Sequence, residues 1–255
     1  MKFGICAGFE YLETLKEAGS DFIEVSANEI ASMTDAEIKE QMKRCEDTGL
    51  FAEVFKNLFP AHIKLTGDKM DFAMIDEYTR SVFDKASKLG IKTAVFGSGA
   101  ARSFPEGADR ESCMSQLVFA SRLTAQNASE YGVTVAVEPL RSEETNAINT
   151  VSDAVQLCRA VNEKNFKINP DLYHMYCENE DFENLKTYSD FIAHVHVAEF
   201  KTRKLPSAGD GCDYKKAIQL LKDSGYNGRV SVEAHDEFTL QKYLTTMTST
   251  KLIFT

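Results

Sequence analysis

The chain has little of what marks fibrous, disordered, membrane-spanning or disulfide-stapled proteins. Its 255 residues include only 5 Pro and 14 Gly, which excludes collagen-like and low-complexity readings. No apolar stretch runs beyond about five residues, whereas a helix that crosses a bilayer needs roughly 20; no membrane span and no membrane partner are expected. The amino terminus meets an acid at Glu10 before the apolar core of a secretory signal can develop, so the expected compartment is the cytoplasm. Six cysteines (Cys6, Cys45, Cys113, Cys158, Cys177, Cys212) lie far apart with no Cys-x-x-Cys spacing. A chain this long needs no covalent staples, and they read as reduced thiols, most of them packing residues. Basic residues are in deficit as well: Lys plus Arg number 29 against 39 Asp plus Glu, a formal net charge of −10. Such a surface repels phosphate backbones on average, so a nucleic-acid partner is not expected.

What the chain does have is 43% hydrophobic residues, enough for a sizeable core, arranged in a repeating pattern. Short β-rich runs at Phe3–Cys6, Phe22–Val25, Phe51–Phe55, Thr93–Phe96, Val133–Glu138, Phe166–Asn169, Ile192–Val197 and Arg229–Glu233 alternate with amphipathic stretches, the signature of βαβ units. Thr34-Asp35-Ala36-Glu37 reads as a capping box, and Asp71 to Leu89 carries apolar residues at helical spacing. Gly19, Gly49, Gly90, Gly132 and Gly225 each close a helical stretch shortly before a strand. The sixth unit is the weakest, with only a short helix expected within Asp181 to Tyr188. Eight such units in 255 residues predict an α/β fold, a single (β/α)8 TIM barrel over residues 1–255.

Period two then sorts the strand faces. In Val133-Thr134-Val135-Ala136-Val137-Glu138 the valines share one face and Glu138 ends the other; His194 and His196 share a face, as do Ser231 and Glu233. The apolar face suits the outer helices, so the small and ionisable rows point to the barrel axis. Glu138, His196 and Glu233 thereby reach the C-terminal mouth where barrel enzymes place their active sites. With Asp171 after the sixth strand they form a set of three carboxylates and one imidazole, one from each of the last four strands. Buried carboxylates at one point call for a cation. This donor set suits Mn²⁺, Co²⁺, Mg²⁺ or Fe²⁺, with Zn²⁺ also possible; the expectation is one divalent ion, Mn²⁺ first.

Glu138-Pro139-Leu140, Asn169-Pro170-Asp171-Leu172-Tyr173-His174, His194-Val195-His196-Val197-Ala198-Glu199 and Val232-Glu233-Ala234, in this order and spacing, resemble the xylose isomerase-like TIM-barrel superfamily. The resemblance is to its sugar phosphate isomerase/epimerase branch, with D-tagatose 3-epimerase, D-psicose 3-epimerase and hydroxypyruvate isomerase type enzymes. Asn57-Leu58-Phe59-Pro60, Gly97-Ser98-Gly99 with Arg102 and Pro105, and Glu144-Thr145-Asn146 match as well. The resemblance implies a metal site on Glu138, Asp171, His196 and Glu233, and substrate contacts from His174, Arg203 and Glu144. Lys201 and Lys204 are alternatives to Arg203 in a loop whose usual Pro-Gly-x-Gly-Asp reads Pro206-Ser207-Ala208-Gly209-Asp210 here.

The chemistry that fits is proton abstraction beside a carbonyl, through a metal-stabilised enediolate, with Glu138 and Glu233 as the two acid/bases. The expected function is therefore a metal-dependent isomerase or epimerase in carbohydrate metabolism, acting on a small sugar or sugar phosphate. A lyase or dehydratase of the inosose or dehydroshikimate type shares this logic. An AP endonuclease-like nuclease is disfavoured because the five histidines cannot populate a trinuclear site once His62, His194 and His235 are assigned elsewhere, and because the net charge of −10 opposes DNA; a sugar-binding barrel without catalysis would need neither paired glutamates nor a metal. His194 reads as a barrel-interior residue one layer below His196, and His62 as a solvated loop residue. His235, two residues past Glu233, reads either as a support for the metal-binding groups or as a surface residue. Glu24 is placed between the pocket and a lysine partner. The glycines of Gly97-Ser98-Gly99 read as permitting a tight turn, and Arg102 as a low-weight candidate for an acidic substrate group. The segment from Tyr243 to Thr255 is expected to pack under the barrel or on a second copy in a homo-oligomer.

Overall fold

The computed structural model describes residues 1–207, 211–236, 242 and 244–246. Ala208, Gly209 and Asp210, and the segment from Tyr243 onward apart from 244–246, lie outside the described residues.

The strands are β1 (Lys2–Cys6), β2 (Phe22–Ser26), β3 (Ala52–Lys56), β4 (Thr93–Phe96), β5 (Thr134–Val137), β6 (Phe166–Ile168), β7 (His194–Val197) and β8 (Arg229–Val232). All pair in parallel in the order β6-β5-β4-β3-β2-β1-β8-β7. The two ends of this sheet meet through isolated bridges, Ile168 with Ile192 and Asp171 with His196. There the Ala193 N–H donates to the Ile168 carbonyl at 3.0 Å and the His196 N–H to the Pro170 carbonyl at 2.9 Å. Pro170 has no N–H to return, so the seam is sparse and the barrel nearly closed. Between and after the strands run α1 (Leu12–Glu17), α2 (Ala27–Ser32), α3 (Asp35–Thr48), α4 (Phe72–Lys88), α5 (Gly99–Arg102), α6 (Arg110–Glu130), α7 (Val151–Val161), α8 (Leu172–Cys177), α9 (Glu183–Thr187) and α10 (Tyr214–Asp223). None of the described helices is long and apolar enough to cross a membrane.

Local sequence explains the helix boundaries. The expected capping box opens α3: the Glu37 N–H donates to Thr34 Oγ1 at 3.3 Å and the Thr34 N–H to Glu37 Oε2 at 2.7 Å. Asp71 caps α4 by accepting from the N–H groups of Ala73 and Met74. That helix buries Ile75, Thr79, Val82, Phe83 and Ala86 on one face. All five helix-closing glycines have positive φ. The sixth unit is short, as its sequence implies, with α9 inside the expected range. Strand ends differ from expectation by a residue or two; Glu138, Asn169 and Glu233 lie just past their strands because the chain turns there toward a proline or a mouth loop. The cysteines are all free, and Cys45, Cys113 and Cys158 are buried.

The core divides in two. The outward strand faces and the helices form one continuous apolar cluster, while Phe22, Val54 and Val95 form a separate buried group inside the barrel. Phe22 fits because Gly4 on the neighbouring strand has no side chain: a Cβ there would lie 2.6 Å from the Phe22 ring. Gly4→Ala is therefore expected to overpack the barrel floor and cost about 1–3 kcal/mol. Urea unfolding with tryptophan-independent detection, such as far-ultraviolet circular dichroism, reads this as a lowered midpoint at constant slope; an unchanged midpoint contradicts it.

Candidate active site

Inward rows end at the C-terminal mouth in ionisable groups. After β5 the Glu138 N–H still donates to the Phe96 carbonyl at 3.1 Å, and Pro139 then ends the ladder. Asp171 caps α8, its Oδ1 accepting from the Tyr173 N–H at 2.7 Å. That leaves Oδ2 buried with no hydrogen-bond partner. His196 lies on β7, and the Glu233 N–H, one residue past β8, donates to the Val197 carbonyl at 3.0 Å. The structure brings the four together: one donor atom from each of Glu138, Asp171, His196 and Glu233 lies within 4.8 Å of the others, and all four residues are buried.

The His196 ring shows what such a cluster demands. Its Nδ1 lies 3.0 Å from Glu138 Oε1 and 3.4 Å from Glu233 Oε2, while its Nε2 lies 2.9 Å from Glu24 Oε1. Carboxylates thus face both nitrogens, although a neutral imidazole carries a single N–H. With Nε2–H donated to Glu24, the Nδ1 lone pair is aimed at a point ringed by carboxylate oxygens. A divalent cation resolves this repulsion, and the oxygen-rich donor set with the orphaned Asp171 Oδ2 fits one. Glu24 also bonds His194, Oε2 to Nε2 at 2.8 Å. It is therefore partnered by two histidines rather than by a lysine, and His194 is the interior residue the sequence suggests.

Burial and charge act against each other throughout. Burial works to raise the Glu24 carboxyl, but His196 and His194 outweigh it and hold it far below the usual range. Burial raises Glu138 and Asp171, with His196 opposing in the first and Arg203 in the second. Glu233 goes the other way: burial is overcome by Lys56, His196 and Arg203. Glu24, Glu138 and Glu233 outweigh burial and raise His196, so without a cation at Nδ1 the ring carries a second proton there, in the place a cation would take. Burial pushes His174 down to about 4, leaving it neutral.

The expected substrate-contacting residues surround the cluster. Arg203 Nη2 lies 2.7 Å from Glu233 Oε2 and 3.7 Å from Asp171 Oδ2, and Nη1 lies 3.2 Å from Glu144 Oε1. Lys201 and Lys204, the alternatives, are exposed. His174 Nδ1 accepts from the Arg141 N–H at 3.2 Å, which places the proton on Nε2, a buried atom with no partner 3.8 Å from Asp171 Oδ2. Glu144 Oε1 also accepts from Arg141 Nε at 2.9 Å. His235 is exposed beside the mouth and holds it by a backbone N–H to the Arg203 carbonyl at 2.7 Å. His62 is exposed, as its loop position implies.

In the loop after β4 the less favoured reading of Arg102, as a contact for an acidic substrate group, does not hold, and the reading of the glycines as turn-permitting is corrected. Arg102 does not face a substrate: it is fully buried, and its guanidinium donates to the carbonyls of Phe96 (3.0 Å), Glu138 (2.7 Å) and Ile148 (3.4 Å). The turn at Gly97-Ser98-Gly99 owes its left-handed residue to Ser98, at φ 43. Gly97 is needed for space, because a Cβ there would collide with Glu138 Oε2. One residue was missed. Lys56, at the end of β3, places Nζ 2.6 Å from Glu233 Oε1; the period-two row Val54, Lys56 pointed to it. The cluster opens on a cavity of about 510 Å³ lined by Lys56, Gly97, Glu138, Glu144, Arg203 and Glu233 among others.

A family model for the xylose isomerase-like TIM barrel matches residues 12–248. The chain belongs to that family. A D-psicose 3-epimerase from Agrobacterium fabrum is 25% identical over 231 residues, 88% of this chain and 78% of that protein. A 2-oxo-tetronate isomerase from Cupriavidus necator is 27% identical over 132 residues, 51% of this chain and 50% of that protein. Among solved structures, a D-psicose 3-epimerase in the presence of D-fructose superposes with a TM-score of 0.87 at 22% identity, over 99% of this chain and 98% of the other. An epimerase of 3-keto-D-glucosides from E. coli superposes with a TM-score of 0.84 at 21% identity, over 99% and 98%; both share the fold. The relatives are epimerases and isomerases, the enzyme class the sequence motifs imply. Among the described residues the other group of three such donors, Cys6, Glu24 and His196, shares His196 with the first.

Glu24 is expected to support the site structurally. A glutamine there has one acceptor oxygen for two imidazole N–H groups, so Glu24→Gln leaves one buried donor unpaired at a cost of about 1–3 kcal/mol. Denaturant unfolding of the metal-free protein measures the loss; equal stability would contradict the double hydrogen bond.

Proposed function

We propose that this enzyme epimerises or isomerises a small sugar or sugar phosphate by moving a proton at carbon beside a carbonyl. The observation that carries this reading is the convergence of Glu138, Asp171, His196 and Glu233 at the mouth cavity, in a family whose members include D-psicose 3-epimerase. These four residues would hold one divalent ion, Mn²⁺ first among Mn²⁺, Co²⁺, Mg²⁺, Fe²⁺ and Zn²⁺. Bound there, the ion supplies Lewis-acid stabilisation of charge on the substrate oxygens.

The chain's own groups do the rest. Glu138 and Glu233 come from strands on different sides of the mouth, so one takes the proton and the other returns it. Glu138 Oε2, lying against Gly97, faces the cavity side. His174 Nε2–H is a buried donor without a protein partner and binds a substrate oxygen. Arg203, held by Glu144 and Glu233, orients a second oxygen, and Glu144 accepts from a terminal hydroxyl. Return to the opposite face of the same carbon gives epimerisation; transfer between neighbouring carbons gives aldose–ketose isomerisation.

The test is solvent deuterium incorporation, followed by NMR, when Mn²⁺-loaded protein meets ketoses, their phosphates and inososes in D₂O. Glu138→Gln and Glu233→Gln are each expected to lower the exchange rate by about 10²- to 10⁴-fold, and chelation followed by Mn²⁺ addition to abolish and restore it. Exchange that survives both substitutions, or no exchange with any of these compounds, would count against the reading.

A further inference from the structure

The two glutamates are not equivalent, and the difference lies in Lys56. Glu233 has both oxygens engaged by cations: Oε1 by Lys56 Nζ at 2.6 Å and Oε2 by Arg203 Nη2 at 2.7 Å. Glu138 has no cationic side chain on either oxygen among the described residues; only His196 meets its Oε1. Lys56 is a rigidly placed group: it ends a barrel strand, its row begins at the buried Val54, and its side chain is 23% exposed, toward the cavity. An ammonium has three N–H donors, and among the described residues only Glu233 accepts one. Lys56 also lines the cavity beside Glu233, so its remaining donors are available to a ligand that fills it.

We infer that Lys56 is a catalytic residue that binds the substrate oxygen on which negative charge develops, using Glu233 as its anchor. The reasoning rests on the proton-transfer reading above. When Glu233 takes the carbon-bound proton, the C–H bond breaks, its electron pair passes into the C–C–O system, and the new O–H bond neutralises the carboxylate. Negative charge thus leaves Glu233 as it appears on the substrate oxygen. The ammonium lies beside both, keeps all its protons, and its attraction shifts from the carboxylate to the oxyanion. A contact that strengthens only as the proton moves is the kind that raises turnover rather than affinity for substrate. Lys56 also fits the charge of the pocket, since it adds a cation on the Glu233 oxygen that Arg203 leaves free.

The test uses the full chain loaded with Mn²⁺ and the variants Lys56→Met, Lys56→Gln and Lys56→Arg. Glycolohydroxamate, a planar anion with two neighbouring oxygens, is titrated calorimetrically as the probe of the oxyanion contact. Loss of one charge-assisted hydrogen bond is expected to weaken it about tenfold or more in the Met and Gln variants, with Mn²⁺ affinity within about threefold of the parent and part of the loss recovered by Arg. In parallel, deuterium exchange into D-fructose is expected to fall about 10²- to 10³-fold in turnover with little change in KM in the Met and Gln variants, and methylammonium to restore part of it in a fourth variant, Lys56→Ala. Hydroxamate binding that is equal in parent and variants, or absent from the parent, overturns the inference, as does a matching fall in Mn²⁺ affinity. If the parent exchanges no deuterium while the hydroxamate still discriminates the variants, the reaction assigned above fails and the Lys56 contact stands.

Discussion

Three carboxylates held within a few ångströms of each other in a buried barrel mouth repel strongly, because low-polarity surroundings screen them poorly. The surrounding side chains answer that repulsion. Arg203 lies across Asp171 and Glu233, Lys56 takes the far oxygen of Glu233, and His196 inserts between Glu138 and Glu24. None of these is a surface ion pair of small worth; each partner is largely withdrawn from water. The orphaned Asp171 Oδ2 and the lone-pair side of His196 show that the protein groups alone leave the balance incomplete, and that incompleteness is the physical argument for a bound cation.

The same cluster is tied into the closure of the barrel. The seam between β6 and β7 has few hydrogen bonds, and one of its two bridges joins Asp171 to His196. The backbone contact that brings the ends of the sheet together is therefore also the one that fixes the spacing of two clustered side chains. On the other side of the site, Arg102 ties the ends of β4 and β5 by donating to the carbonyls of Phe96 and Glu138. A buried guanidinium with carbonyl acceptors is costly unless those bonds are made, so its placement locks the backbone under Glu138 instead of serving the ligand.

These arrangements were legible in the sequence to different depths. The barrel could be read because alternation along the strands and glycines after the helices are local signals, repeated in every unit. The four clustered residues could be read because period two and strand-end position are enough to bring them to one mouth. Lys56 obeys the same period-two rule, but a metal-donor pattern does not contain it, because an ammonium has no lone pair to offer a cation. The partners of Glu24 were hidden for another reason: His194 and His196 lie 170 and 172 residues away in sequence, and only the curvature of the barrel sets β2 facing β7. Arg102 stayed open to two readings because a loop arginine near a mouth has the composition of a substrate contact, while its direction depends on carbonyls left free at the ends of two strands.

Arg203 shows how a residue that the motif placed with difficulty is fixed by local geometry. Its φ of 55 is a left-handed value that a non-glycine residue adopts only when its surroundings impose it. The turn that imposes it is built on Glu199, whose carboxylate accepts from the N–H groups of Lys201 (2.9 Å) and Thr202 (2.6 Å). Its main chain closes the loop through the Arg203 N–H to the Glu199 carbonyl at 3.0 Å and the Glu199 N–H to the Lys204 carbonyl at 2.9 Å. In a relaxed extended loop, successive side chains would alternate in direction and Lys201 would share a face with Arg203. The tight turn instead sends Lys201 and Lys204 to solvent and Arg203 alone inward. The strain is sustained because the guanidinium then meets Glu144, Asp171 and Glu233 together, so the conformational cost of one residue is offset by the charge it brings to the centre that most needs it.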